Sequence, residues 1–156
     1  MYVESEGARL PSSLRQVISG GEVLPANLVN KIKTQSPWLL LDNSYGPTEA
    51  TIGVSWHSCE AMTNKQSVPI GLPIQNTQLL VLDDNLQICP VGVVGELHIG
   101  GRGLARGYLN RTALTEQKFI NNPFAESDNC TLYKTGDLAR MNARGKLTFS
   151  GVNNTQ

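Results

Sequence analysis

The stretch Trp38-Leu39-Leu40-Leu41-Asp42-Asn43-Ser44-Tyr45-Gly46-Pro47-Thr48-Glu49 decides how the rest of the chain is read. Its first part, the continuous apolar run Trp38–Leu41 after the Ser36-Pro37 break, reads as a buried strand. It feeds into Asn43–Glu49, which holds an amide, an aromatic ring, a Gly-Pro turn, a hydroxyl and a carboxylate. A site that stacks a purine, turns sharply and then meets a phosphate with its metal needs that set. Taken alone, the same residues are also an ordinary Gly-Pro turn followed by a Thr-Glu helix start.

Upstream, Leu14–Ser19 reads as a short strand ending in the Gly20-Gly21 turn. Pro25 suits the first turn of a helix, and the spacing of Leu28, Val29 and Ile32 carries that helix to about Thr34. Strand, helix and strand form a βαβ-like unit. It delivers the Gly20-Gly21-Glu22 turn and the Asn43–Glu49 loop to one edge of a sheet, the carboxyl edge where open α/β sheets bind ligands.

After about Gln66 the pattern changes. Gln78–Leu82 runs into the Asp83-Asp84-Asn85 turn, Val93–Ile99 alternates between glycine turns, and Leu132–Thr135 and Lys146–Phe149 add two more strands. Short strands punctuated by Gly and Pro predict a small, mostly antiparallel sheet or barrel. Thr112 to Phe119 reads as a short helix capped by Thr112. The polar stretch Glu60–Ser67 marks a junction, dividing the chain into an α/β lobe over 1–65 and a β-rich lobe over 66–156.

Composition excludes several functions. The 13 basic and 13 acidic residues give zero formal charge, and no block of like charge suggests a nucleic-acid footprint or a polybasic membrane anchor. No apolar run approaches the roughly 20 residues of a membrane span. Met1–Gly7 lacks the basic and apolar regions of a signal peptide, so the expected location is cytoplasmic. Cys59, Cys89 and Cys130 match no zinc spacing or disulfide framework and read as reduced thiols. His57 and His98 read as structural.

Further motifs follow the heptad in order. They are Gly95-Glu96-Leu97-His98-Ile99-Gly100-Gly101-Arg102-Gly103-Leu104-Ala105-Arg106-Gly107-Tyr108-Leu109 and Tyr133-Lys134-Thr135-Gly136-Asp137-Leu138. With Gly20-Gly21-Glu22 and Tyr45-Gly46-Pro47-Thr48-Glu49, they resemble the core motifs of the adenylate-forming superfamily. The wording is most similar to the amino-acid adenylation domains of nonribosomal peptide synthetases, from about Ser13 to Gly151. The resemblance implies a partial adenylate-forming core: an incomplete α/β sheet layer followed by a small, mostly antiparallel, barrel-like subdomain.

The same resemblance implies roles. Gly20, Gly21 and Glu22 would border the nucleotide, Asn43 would recognise the adenine amine, Ser44 would lie beside it, and Tyr45 would pack against the base. Thr48 would meet the α-phosphate and Glu49 would hold Mg²⁺, a hard cation suited to carboxylate oxygen. Asp137 would accept from both ribose hydroxyls, and Phe149 would lie beside the base. Val17, Ser19, Ser44, Ile52 and Gly53 fall on pocket-lining positions, and their lack of charge favours an uncharged amino acid. Each also has a plainer reading: turn asparagine, core aromatic, helix-start acid, Asx-turn aspartate or sheet packing. The glycine-rich run 100–107 has neither Walker nor dinucleotide spacing and reads as a turn with close backbone packing, with Arg102 and Arg106 as surface or scaffold charges.

The resembling family also uses an upstream phosphate loop, an upstream aspartate for the substrate ammonium, and a lysine on a C-terminal subdomain. None of these is found in this sequence. Where the family has Gly-Arg-x-Asp, this chain reads Gly151-Val152-Asn153-Asn154. The implied activity is part of an ATP-dependent amino-acid adenylation that yields aminoacyl-AMP and then loads a phosphopantetheinyl carrier protein. As an isolated chain it is expected to be incomplete for that catalysis. The alternatives are a non-catalytic nucleotide-binding or scaffold remnant, or part of an acyl-CoA ligase.

Overall fold

The computed structural model describes residues 10–60, 67–125 and 131–153. The N-terminal residues 1–7, most of the expected junction (61–66), Cys130 and Asn154 lie outside the described residues.

The first layer is a four-stranded mixed sheet in the order β1-β2-β3-β4. Its strands are β1 (Gln16–Ser19), β2 (Leu40–Tyr45), β3 (Ser55–Cys59) and β4 (Leu72–Pro73), so the sheet extends to Pro73. Helix α1 (Ala26–Gln35) connects β1 to β2, which pair in parallel from Gln16↔Leu40 to Ser19↔Asn43. The expected βαβ-like unit therefore forms. Its helix carries Ala26, Leu28, Val29 and Ile32 inward, and these pack with Leu39, Leu41 and Cys59 in one apolar cluster.

The reading of Trp38–Leu41 as continuously buried is corrected. Leu39 and Leu41 are 1 % exposed, whereas Trp38 and Leu40 are 47 % and 56 % exposed. Strand side chains alternate across a sheet, and only the face that meets α1 is covered at these residues.

The second layer is a curled, antiparallel half-barrel. It contains β5 (Thr77–Leu82), β6 (Val94–Gly101), β7 (Phe119–Asn121), β8 (Thr131–Met141) and β9 (Leu147–Val152), with β6 and β8 at its centre. Alternate residues Leu79, Val81, Leu97, Ile99, Tyr133, Ala139 and Leu147 form its core together with Ala50, Val54 and Ile70 from the first part of the chain. A fully buried Leu or Ile contributes about 1.5–3 kcal/mol, so this shared cluster is the principal adhesive between the two sheets.

Helix α2 (Thr112–Lys118) lies against β7, but Thr112 does not cap it. The cap position is Arg111, with no side-chain cap bond; Thr112 is already helical, and it is Thr115 Oγ1 that accepts from the Tyr108 backbone N–H at 2.9 Å.

A bulge in β8 shapes the site. The register steps from Glu96↔Leu138 to His98↔Lys134, which leaves Thr135, Gly136 and Asp137 opposite Leu97. Thr135 Oγ1 donates to the Leu97 carbonyl and accepts from the Asp137 N–H, while the Gly136 N–H donates to Glu96 Oε1. Bulges of this kind re-aim a side chain while keeping the ladder on either side. Here the Thr-Gly-Asp sequence supplies both the bulge and the carboxylate it presents.

Candidate functional site

The parallel register of β1 and β2 sets Gly20 beside Ser44, close enough that a Cβ at Gly20 would lie 2.9 Å from the Ser44 carbonyl oxygen. The small residue thus lets the 20–22 turn approach the end of β2. Beyond that turn lies a cleft of about 350 Å³ where the two sheets meet. Gly21, Glu22, Asn43, Ser44 and Tyr45 line it from the first sheet, and Asp137 and Phe149 from the second. Seven of the residues singled out in the sequence thereby come together.

Asn43 is buried and donates Nδ2 to the Pro69 carbonyl at 2.9 Å, which fixes the orientation of its amide. Tyr45 donates its hydroxyl to Asp137 Oδ2 at 2.5 Å. Burial, and then the hydrogen bond and charge of Asp137, push the Tyr45 hydroxyl well above its ordinary value, so it stays protonated as a donor. Val23, Leu24, Val68 and Ile70 form apolar walls that the sequence reading did not single out, with Gly46 and Pro47 at the turn. Val152 also lines the cleft, directly opposite Asp137 in the β8–β9 register.

Other expected residues lie elsewhere. Thr48 and Glu49 begin a single 3₁₀ turn, Thr48–Ala50, beyond the Gly46-Pro47 bend and outside the cleft lining. Glu49 Oε1 accepts from the Tyr108 hydroxyl at 2.6 Å, and the Tyr133 hydroxyl lies 3.4 Å from that of Tyr108. Burial would raise the Glu49 carboxyl. The hydrogen bonds from Tyr108, its own backbone and Tyr133, with the Lys118 charge, outweigh this and hold it below the ordinary carboxylate value. Tyr108 was visible inside the Gly107-Tyr108-Leu109 motif, but nothing local paired it with a residue 59 positions earlier.

The glycine-rich run acts on this turn. Ala105 N–H donates to the Glu49 carbonyl at 2.7 Å and Thr51 Oγ1 donates to the Gly103 carbonyl at 2.6 Å. Gly101 has φ +124°, and a Cβ there would collide with the Asn76 carbonyl. The run is a backbone clamp, and Arg102 and Arg106 are exposed.

Among the expected pocket-lining positions, Val17 packs against the α1 cluster, Ser19 is half-buried at the end of β1, and Ile52 is 76 % exposed. Gly53 lies beside Ser44, whose Oγ would be 3.4 Å from a Cβ built on it. Apart from Ser44, these positions do not line the cleft. His98 is buried with Nδ1 3.1 Å from the Glu96 carbonyl oxygen, and its Nε2 has no partner among the described residues.

No group of three or more His, Cys, Asp or Glu among the described residues could hold a metal ion. A single ionised carboxylate such as Glu49 fits Mg²⁺ only in the manner of phosphate-bridging sites, where water and substrate phosphates complete the shell. No described helix is long and apolar enough to cross a membrane.

Comparisons with known proteins bear on the family and the fold. Residues 2–109 match the AMP-binding enzyme family. The chain is 44 % identical to malpinin synthetase of Mortierella alpina over 97 % of its own length, and 47 % identical to gramicidin S synthase 1 of Brevibacillus brevis over 89 %. It spans only 2 % and 12 % of those two proteins. The solved structure of an NRPS protein containing adenylation and PCP domains superimposes with a TM-score of 0.83 at 36 % identity. That match covers 92 % of this chain and 29 % of the solved one.

Proposed function

This chain belongs to the AMP-binding enzyme family, and on that premise we propose that its cleft is the adenosine-binding half of an amino-acid adenylation site. One observation carries the reading: Asn43, Tyr45, Asp137 and Phe149, from two different sheets, line a single cleft. An adenine ring packs between apolar surfaces and reads a fixed amide, and a ribose diol needs a carboxylate acceptor. With Nδ2 held by Pro69, Asn43 turns its acceptor oxygen to the task of receiving the exocyclic amine. Asp137 has Oδ2 engaged by Tyr45 and receives the diol through its other oxygen or by displacing the tyrosine.

The substrates are ATP and an amino acid, with the uncharged Ser44 at the cleft favouring an uncharged side chain. In the reaction the amino-acid carboxylate attacks the α-phosphorus and pyrophosphate leaves. Thr48 would orient the α-phosphate, and Glu49, which accepts a hydrogen bond from Tyr108, would hold Mg²⁺, which would supply positive charge to offset that of the phosphates. The product, aminoacyl-AMP, would be passed to a phosphopantetheinyl carrier protein. The similarity to a protein that contains adenylation and PCP domains supports that partner. The relatives are far longer than this chain, so the contribution we assign to it is the nucleotide bed, with the rest of adenylation drawing on further segments.

The test is calorimetric titration of the folded chain with a stable aminoacyl-adenylate analogue, beside Asp137→Ala. Loss of a charge-assisted hydrogen bond weakens binding by about 1.5–3 kcal/mol. Equal affinity in the two proteins would remove Asp137 from the site.

A further inference from the structure

The β8–β9 hairpin has two chemically opposite faces. Ala139, Met141, Leu147 and Phe149 point to the core and the nucleotide cleft. The alternate residues Arg140, Asn142, Lys146 and Thr148 line a separate groove of about 730 Å³ on the other side. Arg144 at the hairpin tip joins them, and β3 supplies the facing wall with His57. The segment 68–70 is the partition between the two: Val68 and Ile70 border the nucleotide cleft and Pro69 the groove.

The groove is held in shape by its own backbone. Asn142 Oδ1 accepts from the N–H groups of Arg144 and Lys146, and the Gly145 N–H donates to the Asn142 carbonyl, which fixes the tip. Leu147 exchanges hydrogen bonds with Gly71, and its carbonyl also accepts from Ile70, which ties the hairpin to the partition. Arg140, Arg144 and Lys146 make no side-chain hydrogen bond or salt bridge among the described residues. Against these cations the lining offers one carboxylate among the described residues, Glu60. Burial, and then Lys146, hold His57 below its ordinary value, against the opposing charges of Asp42 and Glu60.

We propose that this groove is a second anion site, one that takes a phosphate group. Two arginine forks and a lysine, with a hydroxyl (Thr148) and an amide (Asn142) in the same lining, match the charge and hydrogen-bonding needs of a phosphate that carries two or more negative oxygens. Its volume falls within the range of small-molecule pockets, so the phosphate is admitted either free or as part of a larger ester. The site is independent of the nucleotide cleft, since it uses the opposite face of the hairpin.

Inorganic pyrophosphate titrated calorimetrically into the full chain tests this. Saturable binding is expected, weakened about tenfold or more by Arg144→Ala and by Arg140→Ala, the scale of a lost charge-assisted hydrogen bond. Both positions are exposed, and unchanged thermal melting confirms that each variant folds. Asp137→Ala should leave pyrophosphate binding intact. AMP that displaces pyrophosphate in the Asp137→Ala background supports an esterified ligand, whereas pyrophosphate binding without AMP competition supports the free anion. A folded chain without saturable binding, affinity indifferent to both arginines, or loss of pyrophosphate binding in Asp137→Ala would each overturn the proposal.

Discussion

Tyr45 and Asp137, 92 residues apart, are joined hydroxyl to carboxylate at 2.5 Å, and this bond links the first sheet to the bulge of the second. It spans the cleft that the two sheets share. Removing it should therefore register in stability more than in recognition of the base.

Tyr45→Phe keeps the ring and removes the donor. The expected loss in a denaturant titration at neutral pH is about 1.5–3 kcal/mol, the scale of a hydrogen bond to a charged group. Affinity for an AMP analogue should stay within a few-fold. The folded-state Tyr45 value is raised above its ordinary 10.0, so the associated stability is complete below pH 10 and drains away as pH rises beyond it. Tyr45→Phe should flatten that alkaline decline. An unchanged alkaline profile would show that the bond is not formed in solution.

Glu49 has the opposite sign. Its folded-state value lies below the ordinary 4.5, so its contribution is present above that pH and is lost as pH falls through the folded value. Tyr108→Phe should raise the Glu49 carboxyl, as followed by its side-chain NMR titration. Because the pair is partly exposed, the loss of stability should be about 0.5–1.5 kcal/mol. A Glu49 titration curve identical in both proteins would separate the two residues.

Gly71 has φ +96°, and a Cβ there would fall within the envelope of the Trp56 carbonyl. It sits where the chain leaves the partition and exchanges hydrogen bonds with Leu147. Gly71→Ala should cost about 2–3 kcal/mol, since backbone strain and overpacking coincide. A midpoint shift smaller than that of an exposed surface substitution would contradict this packing.

Cys59 is 1 % exposed, and burial followed by the Asp42 carboxylate pushes its thiol up to about 11. In a Cys89→Ser, Cys130→Ser background at pH 8, alkylation of the folded chain should run about a hundredfold slower than in denaturant, because the thiolate is the reactive form. Comparable rates would place Cys59 at the surface.

Much of the candidate site was legible because its signals are local. The Asn43–Glu49 run, the Gly20-Gly21-Glu22 turn and Thr135-Gly136-Asp137 each carry their chemistry within a few residues, and so does the βαβ-like pattern that presents the first two together. The miscast residues depended on partners instead. Whether Leu40 is buried depends on which sheet face is covered, and Thr112 lost its capping role to a helix start one residue earlier.

The sequence by itself determined the family, through its ordered motifs, and the strand-helix-strand order and the local composition of the candidate site, since periodicity and turn chemistry are written along the chain. Only the tertiary structure decided that Glu49 faces Tyr108, that Asp137 is held by Tyr45, and that the alternate face of the β8–β9 hairpin gathers Arg140, Arg144 and Lys146 opposite His57. Those relationships join residues far apart in the chain. Sheet register, a bulge and the packing of one layer on another bring them together, and a linear pattern does not encode such proximity.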